Sequence, residues 1–567
     1  MMNLTRLNSV GEALRDAMVP FKSNVALIEA NRERENGQWS YRELRNEAER
    51  VAALLQDDGF VPDDRCAILM GNQSKWIFSG LGALWAGATL VPLDYKLKSS
   101  EQAALLQHAK PRVLITEWPI WRKLKDEAAE GFAETRVLVT EAPKDADLGK
   151  AVRWETEPSG GFTYQERRRD DVACLVYSSG TGGTPKGCML THGNYLSQAE
   201  ELIRLFPMEE SDKYFSILPT NHAIDFMCGF IVPLLMGASV VHQRTLRPQY
   251  LRSTMKKYEI SHIAVVPMVL KAFERGIREK LDELDGWKKT LLDGLVSINE
   301  LATQREPNHA ISRLLLSQIH DSFGGNLRLI FCGGAFTDRS TAEFFYSLGL
   351  PVVIGYGLTE AGTVLTVNDL KPFRGDTVGK PLDGVDLELR NTNDEGIGEV
   401  WIRSKTIMKG YLNEPELTAE TIVDGWLKTG DLGSVDAAGH LKLVGRAKNM
   451  IVTEGGKNIY PEDIESAFDG LDDCEEYCVF AANYIWPTGK LTDEQLMIVV
   501  RPTNGNVDGL VDQIRDLNRN LVDFKRLSSV VVWPEDFPRT ASMKVKRNQL
   551  AHSMGEELKR EEALMVL

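Results

Sequence analysis

No stretch of this sequence runs for about 18 uninterrupted apolar residues, so a membrane-spanning helix is not expected. Residues 1–16 lack the basic start, apolar core and cleavage site of a signal peptide. Cysteine is scarce: seven are scattered along the chain, an odd number. That fits reduced thiols in a cytoplasm better than a disulfide framework. Cys474 and Cys478 are four apart and are expected to share a helix face. With no second pair or histidine beside them, a metal site is not expected there. Positive charge is in deficit: the net charge is −15 and the pI near 5.3. That argues against a general nucleic-acid binder. Internal repeats and low-complexity tracts are missing too, and no segment reads as a Walker A loop.

What is present begins with one stretch: Tyr177-Ser178-Ser179-Gly180-Thr181-Gly182-Gly183-Thr184-Pro185-Lys186-Gly187. It follows the apolar run Ala173-Cys174-Leu175-Val176, which reads as a buried strand. Small side chains leave backbone N–H groups free to surround an anion. Ser178, Ser179, Thr181 and Thr184 add hydroxyl donors, and Lys186 adds a charge on a flexible stem. Such a loop suits a polyphosphate, although an ordinary surface loop has the same composition.

At 567 residues the chain exceeds one core. Residues 41–56 read as an amphipathic helix with Leu44, Ala48, Val51, Ala52 and Leu55 on one face, and with Ser40 and Glu43 as a capping box. Strands near 66–70, 90–93, 113–115 and 137–139, with a helix over 76–86, give a βαβ rhythm and predict a parallel sheet. Residues 271–322 read as a helical excursion between two sheet strands. Strands at 327–331 and 352–354 run into Gly333-Gly334-Ala335 and Gly355-Tyr356-Gly357-Leu358-Thr359-Glu360. Ligands of open α/β sheets sit beyond strand carboxyl ends, so these loops and the one at Ser178 are expected to converge. From Gly379 the texture becomes β-rich, and the last part suits a small α+β domain.

Glu360 beside a phosphate loop suits Mg²⁺, or it caps the next helix. Asp431, in Thr429-Gly430-Asp431, suits ribose hydroxyls, or it forms an Asx-turn. Arg446 and Lys448, bracketed by Gly445 and by Gly455-Gly456, suit a hinge or an ordinary linker. The basic run 538–547 contains Lys544, a cation for a reacting phosphate or part of an idle tail.

Taken in order along essentially the whole chain, these segments resemble the AMP-forming adenylating enzymes: acyl-CoA synthetases, carrier-protein adenylation domains and beetle luciferases. Leu84-Trp85-Ala86-Gly87-Ala88, Leu218 to His222, and Met408-Lys409-Gly410-Tyr411-Leu412 match as well. The run from Ile451 through Gly455, Gly456 and Lys457 to Pro461, the ending Met543-Lys544-Val545-Lys546-Arg547 and the helical excursion look like long-chain fatty-acyl-CoA synthetases.

The resemblance implies an α/β fold. A large N-terminal domain (1–445) of two parallel-type βαβ subdomains plus a β-rich subdomain would hold ATP and acid. Residues 446–449 would form the hinge, and 450–567 a small mobile α+β domain. The resemblance implies ATP contacts at Ser178, Ser179, Gly180, Thr181, Gly182, Gly183, Thr184, Lys186, Gly333, Gly334, Ala335, Gly355, Tyr356, Gly357, Thr359, Asp431 and Arg446. Glu360 would hold Mg²⁺, Lys544 with Glu360 and Thr359 would be catalytic, and Lys448 would pivot. His222, Gly455, Gly456 and Lys457 would line the acyl and CoA pocket, where His222 is a gate or a buried structural histidine.

The implied reaction joins a carboxylic acid, of fatty type, to CoA with ATP and Mg²⁺, giving AMP and pyrophosphate. A carrier-protein acceptor and an inactive nucleotide-binding regulator are the competing readings. No nucleic-acid partner is implied, peripheral membrane contact stays open, and the oligomeric state is not legible. Three positions depart from the pattern. Gly182 stands where many members carry a second threonine, Met543 replaces a usual glycine, and Asp225 places a carboxylate near the expected acyl pocket.

Overall fold

The computed structural model describes residues 4–57, 59–127, 134–156, 160–178, 186–452, 458–486, 495–503, 507–539 and 545–567. The chain forms two compact units. The first is Met1–Asp386 with Arg403–Leu427, and the second is Leu387–Ile402 with Lys428–Leu567.

Apolar strand runs place two sheets in the first unit. Among the described residues one has nine strands. Its parallel centre is Val352–Tyr356, Leu329–Gly333, His262–Val265, Lys213–Ser216, Ser239–Gln243 and Val25–Asn31, side by side in that order. The other has eight strands, with Val172–Ser178, Thr89–Pro92, Arg65–Leu69, Val113–Glu117 and Arg136–Thr140 parallel at its centre. Every residue of Val113–Glu117 is buried, which is why these strands read as continuous rather than alternating apolar runs. The α/β expectation therefore holds.

The amphipathic helix read over residues 41–56 spans Tyr41–Asp57 and buries Leu44, Ala48, Val51, Ala52 and Leu55. Its capping box forms: the Ser40 amide donates to Glu43 Oε2 at 2.7 Å, and the Glu43 amide donates to Ser40 Oγ at 3.3 Å. It packs against helix Ser74–Trp85 so closely that Gly82 is required. A Cβ there would stand 2.5 Å from Val51 Cβ and 2.6 Å from the Ala48 carbonyl oxygen. The helical excursion is also present, as Pro267–Asp282, Gly286–Thr303, His309–Leu315 and Ser317–Ser322.

The β-rich stretch contains strands Val385–Arg390, Gly398–Ser404, Trp426–Val435 and Leu441–Arg446. In the second unit a four-stranded sheet follows: Cys474–Ala481, Leu496–Pro502, Ser529–Val532 and Met565–Val566. Val479, Ile498, Val530 and Ile514 of helix Val507–Asn518 fill its core. Cys474 and Cys478 belong to the first of these strands, not to a helix. Their spacing of four is compatible with one face of either element, and the β-branched and aromatic neighbours decide for strand.

The described ends of the basic run near the C-terminus are paired with each other. Arg539 and Val545 form an antiparallel bridge, and the Lys546 amide donates to the Pro538 carbonyl at 2.7 Å. Arg547 opens helix Arg547–Glu557, and both oxygens of the half-buried Glu465 carboxylate accept from its Nη2 at 2.7 Å. Arg547 is thus a structural cation rather than part of a solvated tail.

Candidate active site

The strand Val172–Ser178 leaves the eight-stranded sheet and returns antiparallel as Lys186–Thr191, with Ser178 opposite Lys186. These two residues form the base of the glycine-rich loop. Ser179, Gly180, Thr181, Gly182, Gly183 and Thr184 lie outside the described residues, as do Gly455, Gly456, Lys457, Met543 and Lys544.

On the other sheet, Gly333 and Gly355 are register partners on neighbouring parallel strands. A Cβ on Gly333 would meet the Gly355 carbonyl oxygen at 3.1 Å, so the two backbones approach as closely as glycine permits. Gly334, at φ +85°, turns the chain away before Ala335. Gly357 is still tighter: a Cβ there would lie 1.7 Å from the Thr363 carbonyl oxygen. Tyr356 ends its strand buried, and its carbonyl accepts from the Leu365 amide at 2.8 Å. Thr359 is half-buried in the single turn Thr359–Ala361.

The two strand ends meet at Glu360. Ser178 Oγ donates to Glu360 Oε1 at 3.2 Å, and the Tyr411 hydroxyl donates to the same oxygen at 3.0 Å. Glu360 caps no helix, because the chain makes only a three-residue 3₁₀ turn here. Its carboxylate instead faces Ser178 at the base of the glycine-rich loop. Burial, then the Glu360 charge, hold the Tyr411 hydroxyl protonated far above its ordinary range. Burial and the same carboxylate also push the Cys188 thiol up, so it is no nucleophile. Lys186 Nζ stands 5.5 Å from the centre of the Tyr411 ring. Among the described residues no group of three or more His, Cys, Asp and Glu converges as a metal cage. One carboxylate in this position suits Mg²⁺, which keeps its waters and shares substrate phosphate oxygens.

His222 precedes the short helix Ala223–Asp225, and its Nε2 is 3.9 Å from Asp94 Oδ2 at the end of strand Thr89–Pro92. His222 is about a quarter exposed, so it is not a sealed core histidine. Thr363 Oγ1 donates to the Ala223 carbonyl at 3.2 Å, tying the glycine turn to this segment.

Asp225, the carboxylate expected near the acyl pocket, is satisfied within the fold. It is fully buried and accepts three O–H bonds: Tyr214 at 3.0 Å, Ser216 at 2.8 Å and Thr220 at 2.9 Å. Burial raises its pKa to about 7 against those donors.

In the second unit, Asp431 is a strand residue opposite Arg446, not an Asx-turn, with Arg446 Nε 2.7 Å from Asp431 Oδ1. Lys448 sits in the 3₁₀ turn Ala447–Asn449, and Asn449 Nδ2 donates to Glu462 Oε1 at 2.6 Å.

Sequence reasoning gave no role to Tyr411 or Asp94. The signal for Tyr411 was present in the Gly410-Tyr411 match, but its contact with Glu360 spans 51 positions and has no local pattern.

Comparison with known proteins bears on all of this. Residues 14–412 match the family described as AMP-binding enzyme. A feruloyl-CoA synthase of Amycolatopsis sp is 26% identical over 523 residues, covering 91% of this chain and 94% of that protein. Long chain acyl-CoA synthetase 3 of Arabidopsis thaliana is 26% identical over 502 residues, covering 83% of this chain and 74% of that one. The crystal structure of the anthranilate CoA ligase AuaEII with anthranoyl-AMP shares the fold, with a TM-score of 0.77 at 22% identity, covering 97% and 99% of the two chains. Adenylate-forming CoA ligases use ATP, Mg²⁺ and CoA. The chain belongs to the AMP-binding enzyme family, among the adenylate-forming acid–CoA ligases.

Proposed function

We infer that this enzyme is a fatty-acid–CoA ligase, converting a carboxylic acid, ATP and CoA to acyl-CoA, AMP and pyrophosphate. The observation that carries the adenylating site is the Glu360 carboxylate, held by the Ser178 and Tyr411 hydroxyls at the base of the phosphate loop. The fatty-acid specificity rests on residues 451–461, on the ending at 543–547 and on the helical excursion, which resemble the long-chain enzymes. The similarity to a long chain acyl-CoA synthetase supports it. The seven cysteines, all free thiols, support a cytoplasmic location.

Ser178 and the loop after it hold the β- and γ-phosphates. Glu360 would hold Mg²⁺, which when bound spreads the charge of the triphosphate. Asp431 orients the ribose, itself oriented by Arg446. Gly333 to Ala335 and Gly355 to Gly357 flank the adenine with bare backbone. A carboxylate oxygen attacks the α-phosphorus, and the bond from that phosphorus to the α,β-bridging oxygen breaks. Lys544 stabilises the charge that develops, and pyrophosphate leaves. The domain after residues 446–449 then pivots at Lys448, withdraws Lys544 and presents Gly455, Gly456 and Lys457. The CoA thiolate attacks the acyl carbon past His222, and AMP leaves.

A panel of carboxylic acids assayed for pyrophosphate release, with and without CoA, tests this reading. Release with long alkyl acids, and AMP turnover that needs free CoA, are the expected results. Turnover that needs a pantetheinylated carrier protein gives the second acceptor instead. Nucleotide binding without release under any acid overturns the reading.

A further inference from the structure

One side chain touches both charged groups at the base of the phosphate loop. Strand Gly410–Tyr411 is only two residues long, yet it is pinned on every side. Gly410 lies opposite Met189 and Tyr411 opposite Cys188, on the arm that leaves the loop. The Lys409 and Leu412 amides donate to the Met189 and Gly187 carbonyls, each at 2.8 Å, and the Met408 amide donates to the Glu360 carbonyl at 2.8 Å. The Tyr411 amide donates to Thr418 Oγ1 at 2.9 Å. Gly410 takes φ +145°, and a Cβ there would stand 2.7 Å from Thr418 Cγ2, so the bend that aims Tyr411 needs glycine. From this fixed mount the hydroxyl reaches Glu360 Oε1 at 3.0 Å, and the ring lies 5.5 Å from Lys186 Nζ.

We propose that Tyr411 is a positioning residue for the triphosphate. It sets the Glu360 carboxylate and the Lys186 ammonium relative to each other, so it governs binding of the β- and γ-phosphates and not of the adenosine half. The assignment rests on the adenylating reading of the site. The chemistry is that of an O–H donor fixing one carboxylate oxygen, which leaves the rest of the carboxylate directed at a cation. The ring adds a quadrupole face that restrains the lysine. Neither effect touches the adenine or the ribose, so a ligand without the two outer phosphates is blind to both.

Two variants separate the hydroxyl from the ring. Tyr411→Phe keeps the ring and removes the donor, whereas Tyr411→Leu removes both. Calorimetric binding of ATP across a range of free Mg²⁺, and of AMP, reads the effect without turnover. Tyr411→Phe is expected to weaken ATP about tenfold, as loss of a hydrogen bond to a charged group does. It is also expected to raise the Mg²⁺ needed for half-maximal ATP binding, and to leave AMP within about twofold. Tyr411→Leu is expected to weaken ATP by about a further threefold, the size of an exposed cation–π contact. AMP binding doubles as the check that each variant is folded. Unchanged ATP binding by Tyr411→Phe, or equal loss of ATP and AMP, overturns the assignment while leaving the adenylating reading intact. Wild-type protein that binds neither nucleotide overturns both.

Discussion

Asp431 and Arg446 face each other across an antiparallel strand pair, with Oδ1 and Nε 2.7 Å apart. Beneath them the Asp431 amide donates to Thr429 Oγ1 at 3.0 Å, and the Thr429 hydroxyl donates to the Val400 carbonyl at 2.7 Å. The carboxylate is therefore held from its own backbone and from the guanidinium. In the proposed role of ribose acceptor it would serve every adenine nucleotide. Asp431→Ala should weaken ATP and AMP alike, each by about tenfold or more. Calorimetry on both ligands checks this, and a loss confined to ATP would contradict the role. The pattern is the opposite of the one expected at Tyr411, so the pair of experiments divides the nucleotide into its two halves.

Asp225 predicts a pH dependence of stability. Burial raises its pKa to about 7 from an ordinary 3.8, so the folded state prefers the protonated acid. The stabilising contribution is complete below the unfolded value and is lost as pH rises through the folded one. Thermal midpoints of wild type, measured relative to Asp225→Asn, should fall between about pH 4 and pH 7 and level off above that window. A difference independent of pH would mean that the three hydroxyls keep the carboxylate ionised throughout. The variant itself should cost about 1–3 kcal/mol, since an amide nitrogen cannot accept from the Tyr214, Ser216 and Thr220 hydroxyls.

Arg547 anchors the chain just after the basic run. Its guanidinium donates to both oxygens of Glu465 and to the Val479 carbonyl at 2.8 Å. Burial pushes the Glu465 carboxyl up even with Arg547 beside it, so losing the cation leaves a largely buried carboxylate without its partner. Arg547→Ala should destabilise the second unit by about 3–5 kcal/mol, and adding Glu465→Gln should recover part of that loss. Urea denaturation of the two variants measures both quantities. A loss below about 1 kcal/mol would place the pair in solvent.

The sheets were legible because their central strands are buried on both faces and so appear as unbroken apolar runs, as in Val113–Glu117. The first long helix was legible because its face and its cap are local, within 17 residues. What no window of sequence could show is contact between distant segments. Glu360 meets Ser178 and Tyr411, 182 and 51 positions away, and only the folded sheets bring them together. Asp225 looked like a misfit near an acyl pocket because the hydroxyls that satisfy it belong to a strand and a loop ahead of it. Cys474 and Cys478 were assigned to a helix because a spacing of four is shared by one helix face and one strand face. Glu360 and Asp431 each had a local alternative, a helix cap and an Asx-turn, and the backbone adopts neither.

The two half-reactions should separate by mutation. Lys544→Ala is expected to abolish pyrophosphate release and to leave acyl transfer from supplied acyl-adenylate to CoA largely intact. Lys448→Pro should do the reverse, because a fixed φ restricts the pivot. Single-turnover assays of each step check both, and equal loss of the two steps in either variant contradicts one cleft used in two poses.

The adenylate itself can be followed by label. A carboxylic acid bearing oxygen-18 in both carboxylate positions is incubated with enzyme, ATP, Mg²⁺ and CoA, and the products are weighed by mass spectrometry. Attack of the carboxylate on the α-phosphorus leaves one labelled oxygen on AMP, and the thioester keeps the other. AMP carrying a single oxygen-18, with unlabelled pyrophosphate, is the predicted result. Unlabelled AMP, or label appearing in inorganic phosphate beside ADP, would contradict it.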